Sequence, residues 1–267
     1  MFFGFLNLIL CYNNTYNAWF SCYCMPTDRK VSAGSYDLNK WLFGGYEKDI
    51  ITTIYGPAGS GKTNLCLLAA ASQCKKGKKV IYMDTEGGFS VERLRQISGE
   101  RYKEVLDRVL LLKPTTFKEQ QEAFLQLLKE LKQGDVGLVV IDGMTMLYRL
   151  DLAEAKQKEA GGIKEINSEL AKQMRILAEI ARKQEVAVIV TNQVYGEFLS
   201  EEDLKSGKER RMMMVGGDIL KYWSKCIIEL ENNRGKRRAI LRKHRSLPEK
   251  DLSFEIVGDG IRRRGWI

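Results

Sequence analysis

Charge is missing from the first 27 residues of this 267-residue chain. The apolar run from Phe2 to Tyr12 (FFGFLNLILCY) is its nearest approach to a membrane segment, and it falls short of the about 20 residues that a bilayer demands. A secretory signal is not expected either, because the basic residues that open one are absent. Metal-like cysteine spacing is also lacking. Cys11, Cys22, Cys24, Cys66, Cys74 and Cys226 are scattered, and Cys22-x-Cys24 has no second pair, so reduced thiols in a cytoplasmic protein with no membrane role are the expectation. There is no internal repeat and no low-complexity segment. Charges begin at Met25-Pro26-Thr27-Asp28-Arg29-Lys30. The expected organisation is an extension over 1–29, of which 1–24 read as an over-extended frame ahead of Met25, and one domain over 30–267.

What is present supports that single domain. A chain of this length that is 44% hydrophobic can bury one good-sized core. The central stretch runs Ile50-Ile51-Thr52-Thr53-Ile54-Tyr55 and then Gly56-Pro57-Ala58-Gly59-Ser60-Gly61-Lys62-Thr63, a β-branched strand that breaks into a glycine-rich turn and opens a helix at Asn64-Leu65. Glycines let backbone N–H groups wrap a polyphosphate, and the helix start favours negative charge. Lys62 can reach the β and γ phosphates, and the Thr63 hydroxyl can ligate magnesium. Nucleoside triphosphate binding follows.

Beyond the loop, Val80 to Asp84 reads as a buried strand, with Glu86 just past its end, where open α/β sheets place chemistry. Standing alone, Glu86 could be a solvated loop acid; after a phosphate loop it is a candidate to orient attacking water. Ser90 reads as a helix cap. Val109 to Leu112 is a strand, and Phe117 to Leu131 is a helix by its apolar spacing. Gly137 to Asp142 reads as a buried parallel strand, with Asp142 beside the magnesium. A helix over about 163–183 and a strand from Val186 to Thr191 precede Asn192-Gln193. The polar stretches 150–162 and 195–213 are expected to be mobile. The fold class expected is α/β, a mostly parallel twisted sheet flanked by helices, with antiparallel strands at its C-terminal edge.

The net charge of +9 favours an anionic partner. Much of it lies between Arg234 and Lys250, where Arg234, Lys236, Arg237, Arg238, Arg242, Lys243, Arg245 and Lys250 face one acid, Glu249. Arg262-Arg263-Arg264 adds to it. A solvated hairpin and an anion-binding surface are both open readings. Along a strand here, Lys236, Arg238 and Ile240 share one face, and Arg237, Ala239 and Leu241 the other.

In order and spacing, GPAGSGKT, MDTEGGF with Glu92-Arg93-Leu94, LVVID with Leu147-Tyr148-Arg149, Thr191-Asn192-Gln193-Val194 and Gly216-Gly217-Asp218-Ile219-Leu220 resemble the core of the RecA superfamily over about 30–267. Within it, Tyr222-Trp223-Ser224-Lys225 and Lys243 to Glu249 resemble the short archaeal paralogues of RadB type, and no helix-hairpin-helix domain precedes the core. The resemblance implies ATP and Mg2+ as ligands, with a phosphate loop over Gly56, Pro57, Ala58, Gly59, Ser60, Gly61, Lys62, Thr63 and Asn64. It implies that Glu86 positions water, Asp142 assists the metal, Gln193 senses the γ-phosphate and Arg93 packs on adenine. Lys243 and Arg245 would reach a neighbour's phosphates in a homo-oligomer. Arg149, Arg210, Arg211, Lys236, Arg237 and Arg238 are the DNA-facing candidates.

Two departures matter. Tyr222 stands where the recombinases have a histidine, and no Phe-x-x-Ala motif precedes the core, so neither filament growth nor DNA-stimulated turnover is implied. The expected activity is a weak ATPase that binds single-stranded or branched DNA and assists recombinational repair without exchanging strands. The main recombinase and a Holliday-junction nuclease are the expected protein partners. The alternative is a KaiC-like signalling ATPase that acts on proteins, since Lys243-x-Arg245 suits both.

Overall fold

Aliphatic runs bounded by glycine and charge build a central sheet in the computed structural model, which describes residues 29–157, 162–196 and 212–265. A small ribbon of β1 (Lys30–Val31) and β2 (Tyr46–Glu47) encloses α1 (Tyr36–Trp41). Then β3 (Ile51–Tyr55) enters the phosphate loop and α2 (Lys62–Lys75) leaves it. Next come β4 (Lys79–Asp84), α3 (Val91–Ser98), α4 (Tyr102–Leu106), β5 (Val109–Leu112), α5 (Phe117–Lys132) and β6 (Val136–Asp142). The second half holds α6 (Met146–Gln157), α7 (Ile163–Gln184), β7 (Ala187–Asn192), β8 (Val194–Gly196), β9 (Met212–Met214) and α8 (Gly217–Trp223). A meander of β10 (Cys226–Asn233), β11 (Lys236–Lys243), β12 (Lys250–Val257) and β13 (Gly260–Arg263) ends the described chain.

The sheet order is β13-β12-β11-β10-β3-β7-β6-β4-β5. Strands β5 to β10 in that order are parallel, and β10 to β13 are antiparallel. This is the α/β class read from the sequence. Register aligns the strand ends that matter, pairing Asp84 with Asp142 and Tyr55 with Asn192. Connections leave β3 in one direction and β7 in the other, so the crevice at these C-terminal ends is a topological switch point.

Two apolar layers sandwich the sheet. One holds Leu65, Leu67, Leu68 and Ala69 of α2 against Ile54, Val140, Ile189 and Ile228. Helix α2 is buried on nearly every side, which is why it reads as a continuous apolar run with no amphipathic period. The other layer packs Phe124 and Leu127 of α5 and Leu170, Met174 and Leu177 of α7 against Val139, Ile141 and Val188. The caps are local: Ser90 Oγ accepts from Arg93 N at 3.1 Å, and Thr116 Oγ1 from Glu119 N at 3.1 Å. Cys66, Cys74 and Cys226 are free and buried, and burial pushes the Cys74 and Cys226 thiols up to about 12.

One expectation needs correction. The stretch 150–162, read as a mobile polar loop, is helical through Gln157, because Leu147 and Tyr148 bury against the second layer and Leu, Ala, Glu and Lys favour helix beyond them. The stretch 195–213 begins and ends in an antiparallel ribbon, Val194 opposite Met214 and Gly196 opposite Met212; the residues between lie outside the described ones. No helix among the described residues is long and apolar enough to cross a membrane.

Inside the second layer lies a buried amide pair. Gln120 Nε2 donates to Gln173 Oε1 at 2.8 Å and to the Met144 carbonyl at 3.3 Å, tying α5 and α7 to the segment after Asp142. Gln120→Leu or Gln173→Leu alone strands a buried polar group and should cost about 1–3 kcal/mol. The double replacement should cost less than the sum by at least about 0.5 kcal/mol. Urea unfolding of the four proteins checks this, and strict additivity would contradict it.

Candidate nucleotide site

The phosphate loop is held open from below by close backbone approach. A Cβ on Gly56 would stand 2.3 Å from the Leu230 carbonyl oxygen, so this position admits only glycine. Gly59 (φ +70°) and Gly61 (φ +107°) take left-handed conformations that shape the turn into α2. Lys62, 6% exposed, donates to the carbonyls of Gly56 at 2.9 Å and Pro57 at 3.0 Å and to Gln193 Oε1 at 3.3 Å. Burial lowers its pKa, and Glu86 and Asp142 pull it back up. An ammonium with such replaceable carbonyl partners can turn to a phosphate.

The acids follow from the strand ends. Asp142, 2% exposed, accepts from Tyr82 Oη at 2.7 Å on one oxygen and from Thr191 Oγ1 at 2.6 Å on the other. Thr191 Oγ1 also accepts from Gly143 N at 2.8 Å, so β4, β6 and β7 are bolted together beneath the site. Burial first, and then the Asp142 charge, push the Tyr82 phenol well above its usual range. Asp84 works differently: its oxygens accept from Glu86 N at 3.2 Å, Gly88 N at 3.1 Å and Phe89 N at 2.9 Å, folding the Thr85 to Phe89 turn that carries Glu86. Glu86 Oε2 accepts from Gln193 Nε2 at 2.8 Å.

The residues present fit a magnesium nucleotide. A Cβ built on Gly88 would lie 3.2 Å from Thr63 Oγ1 and 3.9 Å from Asp142 Oδ2, so glycine at this position keeps a side chain from crowding the hydroxyl and the carboxylate. A hard cation takes oxygen ligands of this kind and keeps several waters.

Of the sequence candidates, the loop 56–64, Glu86, Asp142, Gln193 and Arg93 come together. Arg93 sits beside Asn64, with Nε donating to Asn64 Oδ1 at 2.7 Å. Its other N–H groups donate to Gln96 Oε1 and the carbonyls of Val257, Gly258 and Gly260 at 2.8–3.1 Å. Only its flat face remains for a base. Arg149 lines a separate cleft of about 620 Å³ with Tyr148, Lys156, Asn167, Tyr195 and Gly216. Lys236 and Arg238 are exposed on the arm, with Arg238 Nε 3.1 Å from Glu231. Arg237 is elsewhere, its Nε 3.3 Å from the Gly59 carbonyl. Arg210 and Arg211 lie outside the described residues.

Lys243 and Arg245 lie away from their own phosphate loop, since Lys243 pairs with Ile227, which pairs with Thr53 in the middle of β3, and Arg245 reaches Asp49 ahead of that strand. Lys243 Nζ donates to the Lys221 carbonyl at 2.9 Å. Arg245 is ion-paired with buried Glu47 at 2.6 Å and with Asp49 at 3.0 Å.

Tyr82, Thr191 and Asp84 were missed in the sequence. The signal for Asp84 was available, because aspartate side chains favour bonds to backbone N–H groups just downstream; nothing local marks the Tyr82 and Thr191 contacts with Asp142. Tyr82→Phe should cost about 1–2 kcal/mol by leaving a buried carboxylate oxygen unpaired and should shrink the gain in ATP affinity on adding magnesium. Calorimetric titration with and without MgCl2 checks it; an unchanged gain would show that Tyr82 does not orient Asp142.

The sequence matches the Rad51 family over residues 29–264. It is 43% identical over 229 residues to the DNA repair and recombination protein RadB of Methanobrevibacter smithii, covering 84% of this chain and 92% of that protein. The protein of the same name from Methanothermobacter thermautotrophicus is 39% identical over 242 residues, 89% of this chain and 97% of that one. That of Methanocaldococcus jannaschii is 40% identical over 224 residues, covering 84% and 98%. With the phosphate loop, strand-end acids and sheet order already in place, this shows that the chain belongs to the Rad51 family, as a protein of the RadB type.

Proposed function

We infer that this protein binds ATP and DNA and serves homologous recombination and DNA repair as an accessory factor with slow ATP hydrolysis and no strand exchange of its own. The observation that carries the reading is Gln193. It bonds Lys62 and Glu86 at once, and it is the residue just before β8, which opens the second polar stretch. That stretch returns to the same place: Val215 N donates to the Gln193 carbonyl at 3.3 Å, and Asn192 Nδ2 to the Val215 carbonyl at 2.7 Å. Whatever moves Gln193 at the nucleotide is therefore felt at both ends of the stretch. Arg149 and Tyr195 in the neighbouring cleft supply a cation and a half-exposed aromatic ring of the kind single-stranded nucleic acid uses.

Thr63 would hold magnesium directly and Asp142 through its water shell; when bound, the ion neutralises charge on the phosphates. The chain's own groups do the rest. The loop amides cradle the phosphates, and Lys62 trades its carbonyl partners for β and γ oxygens. Glu86 orients a water and takes its proton as the γ-phosphoryl is transferred, while Gln193, released from Lys62, follows the γ-phosphate. The Arg93 face packs against the base. Lys243 and Arg245 act on nucleotide only through a second copy, and Arg245 must first leave Glu47 and Asp49.

Lys62→Ala should weaken ATP binding about 100-fold or more, since it removes a charge-assisted partner of two phosphates. Glu86→Gln should hold ATP within about twofold of the parent and cut hydrolysis at least about 100-fold, because shape is kept and basicity lost. Titration calorimetry and steady-state phosphate release check both. Unchanged affinity in the first would misplace the site, and unchanged turnover in the second would assign the water to another group.

A further inference from the structure

The antiparallel arm rests on the phosphate loop through one row of side chains. Asn232 on β10 is directly opposite Arg237 on β11, and Arg237 is directly opposite Phe254 on β12, so all three project from the same face. Asn232 Nδ2 donates to the Gly59 carbonyl at 3.2 Å, and Arg237 Nε donates to the same oxygen at 3.3 Å. A Cβ on Gly61 would lie 3.8 Å from the Phe254 ring and 3.9 Å from Arg237 Cδ. Lys236 and Arg238, the neighbours of Arg237 along the strand, project from the opposite face, where Arg238 pairs with Glu231.

We propose that Arg237 is a positioning residue of the nucleotide site, holding the phosphate loop in its cradle shape through the Gly59 carbonyl, and that it is no part of a DNA-binding surface. The inference rests on the ATP reading above. A loop that turns its N–H groups toward an anion leaves carbonyls facing outward, and Gly59 offers its own to two donors. Glycines carry more backbone freedom than other residues, so the ordering of Gly59 and Gly61 opposes binding unless something else imposes it. Asn232 and Arg237 impose it from a hydrogen-bonded sheet. Asn232 Oδ1 in turn accepts from Gly235 N at 3.1 Å, and Arg237 Nη1 donates to the Gly235 carbonyl at 3.4 Å, so the β10–β11 turn fixes both side chains. The guanidinium also places positive charge against the loop that receives a polyphosphate.

The test titrates the full chain with ATP and MgCl2 by calorimetry, and a single-stranded oligonucleotide at several salt concentrations, in the parent, Arg237→Ala, Arg237→Lys and Arg238→Ala. Arg237→Ala should raise the ATP Kd about fivefold, the loss of one partly exposed charge-assisted bond, and leave the salt slope of oligonucleotide binding at the parent's value. Arg237→Lys keeps stem and charge without the Nε donor and should raise the Kd about twofold; it carries the test if the alanine variant does not fold. Arg238→Ala should leave the ATP Kd alone. A parent-like ATP Kd in folded Arg237→Ala overturns the proposal, and so does a salt slope reduced by about one in that variant, which would put Arg237 on a phosphate of DNA. Failure of the parent to bind ATP at all would overturn the ATP reading and this inference together, which separates that failure from the others.

Discussion

A carboxylate taken out of water must be given hydrogen bonds in return, and the site is arranged around how Asp142 meets that demand. Its two donors, Tyr82 and Thr191, come from the strands on either side. Satisfying one acid thereby sets the relative height of three strand ends. Asp84 then falls level with Asp142 and folds the turn that carries Glu86, while Asn192 and Gln193 fall level with the base of the phosphate loop. Thr145 and Asn192 add a short side-chain bond behind them. Because interiors are close-packed, this network leaves the functional groups little freedom before any ligand arrives.

Positive charge is sorted by place. Lys62 and Arg237 stand at the phosphate loop, Arg149 at the cleft beside the second polar stretch, and Lys243 and Arg245 at the opposite pole. That pole also carries Tyr222, 73% exposed, next to Trp223 and Lys225 around a smaller hollow. A net charge alone cannot distinguish these uses. The alternation of β11 does, because it sends Arg237 and Arg238 to opposite faces.

The parallel strands were legible because each is a short aliphatic run bounded by turn residues, and the helices α5 and α7 because their apolar residues recur at helical spacing. The places of the glycine-rich loop, Glu86 and Asp142 were legible because each lies at or just past the end of an aliphatic strand. What escaped was of two kinds. Helix α6 was hidden because its exposed face, with Glu154 and Lys156, reads as polar loop while Leu147, Tyr148 and half-buried Leu152 anchor it. The bonds from Tyr82 and Thr191 to Asp142, from Arg93 to the β12–β13 turn and from Arg237 to Gly59 join residues far apart in the chain, and no local pattern encodes them. The meander was recognisable as basic, but its register decides which bases meet the phosphate loop, and register belongs to the folded sheet.

If Gln193 links the nucleotide to the second polar stretch, ATP and DNA must alter each other's affinity by the same factor. The direct measurement is the affinity for a single-stranded oligonucleotide in MgATP, in MgADP and without nucleotide, with the reciprocal ATP titration at saturating oligonucleotide. The account predicts a change of about fivefold or more between MgATP and nucleotide-free protein, matched in the reciprocal titration. Equal oligonucleotide affinity in all three conditions would contradict it.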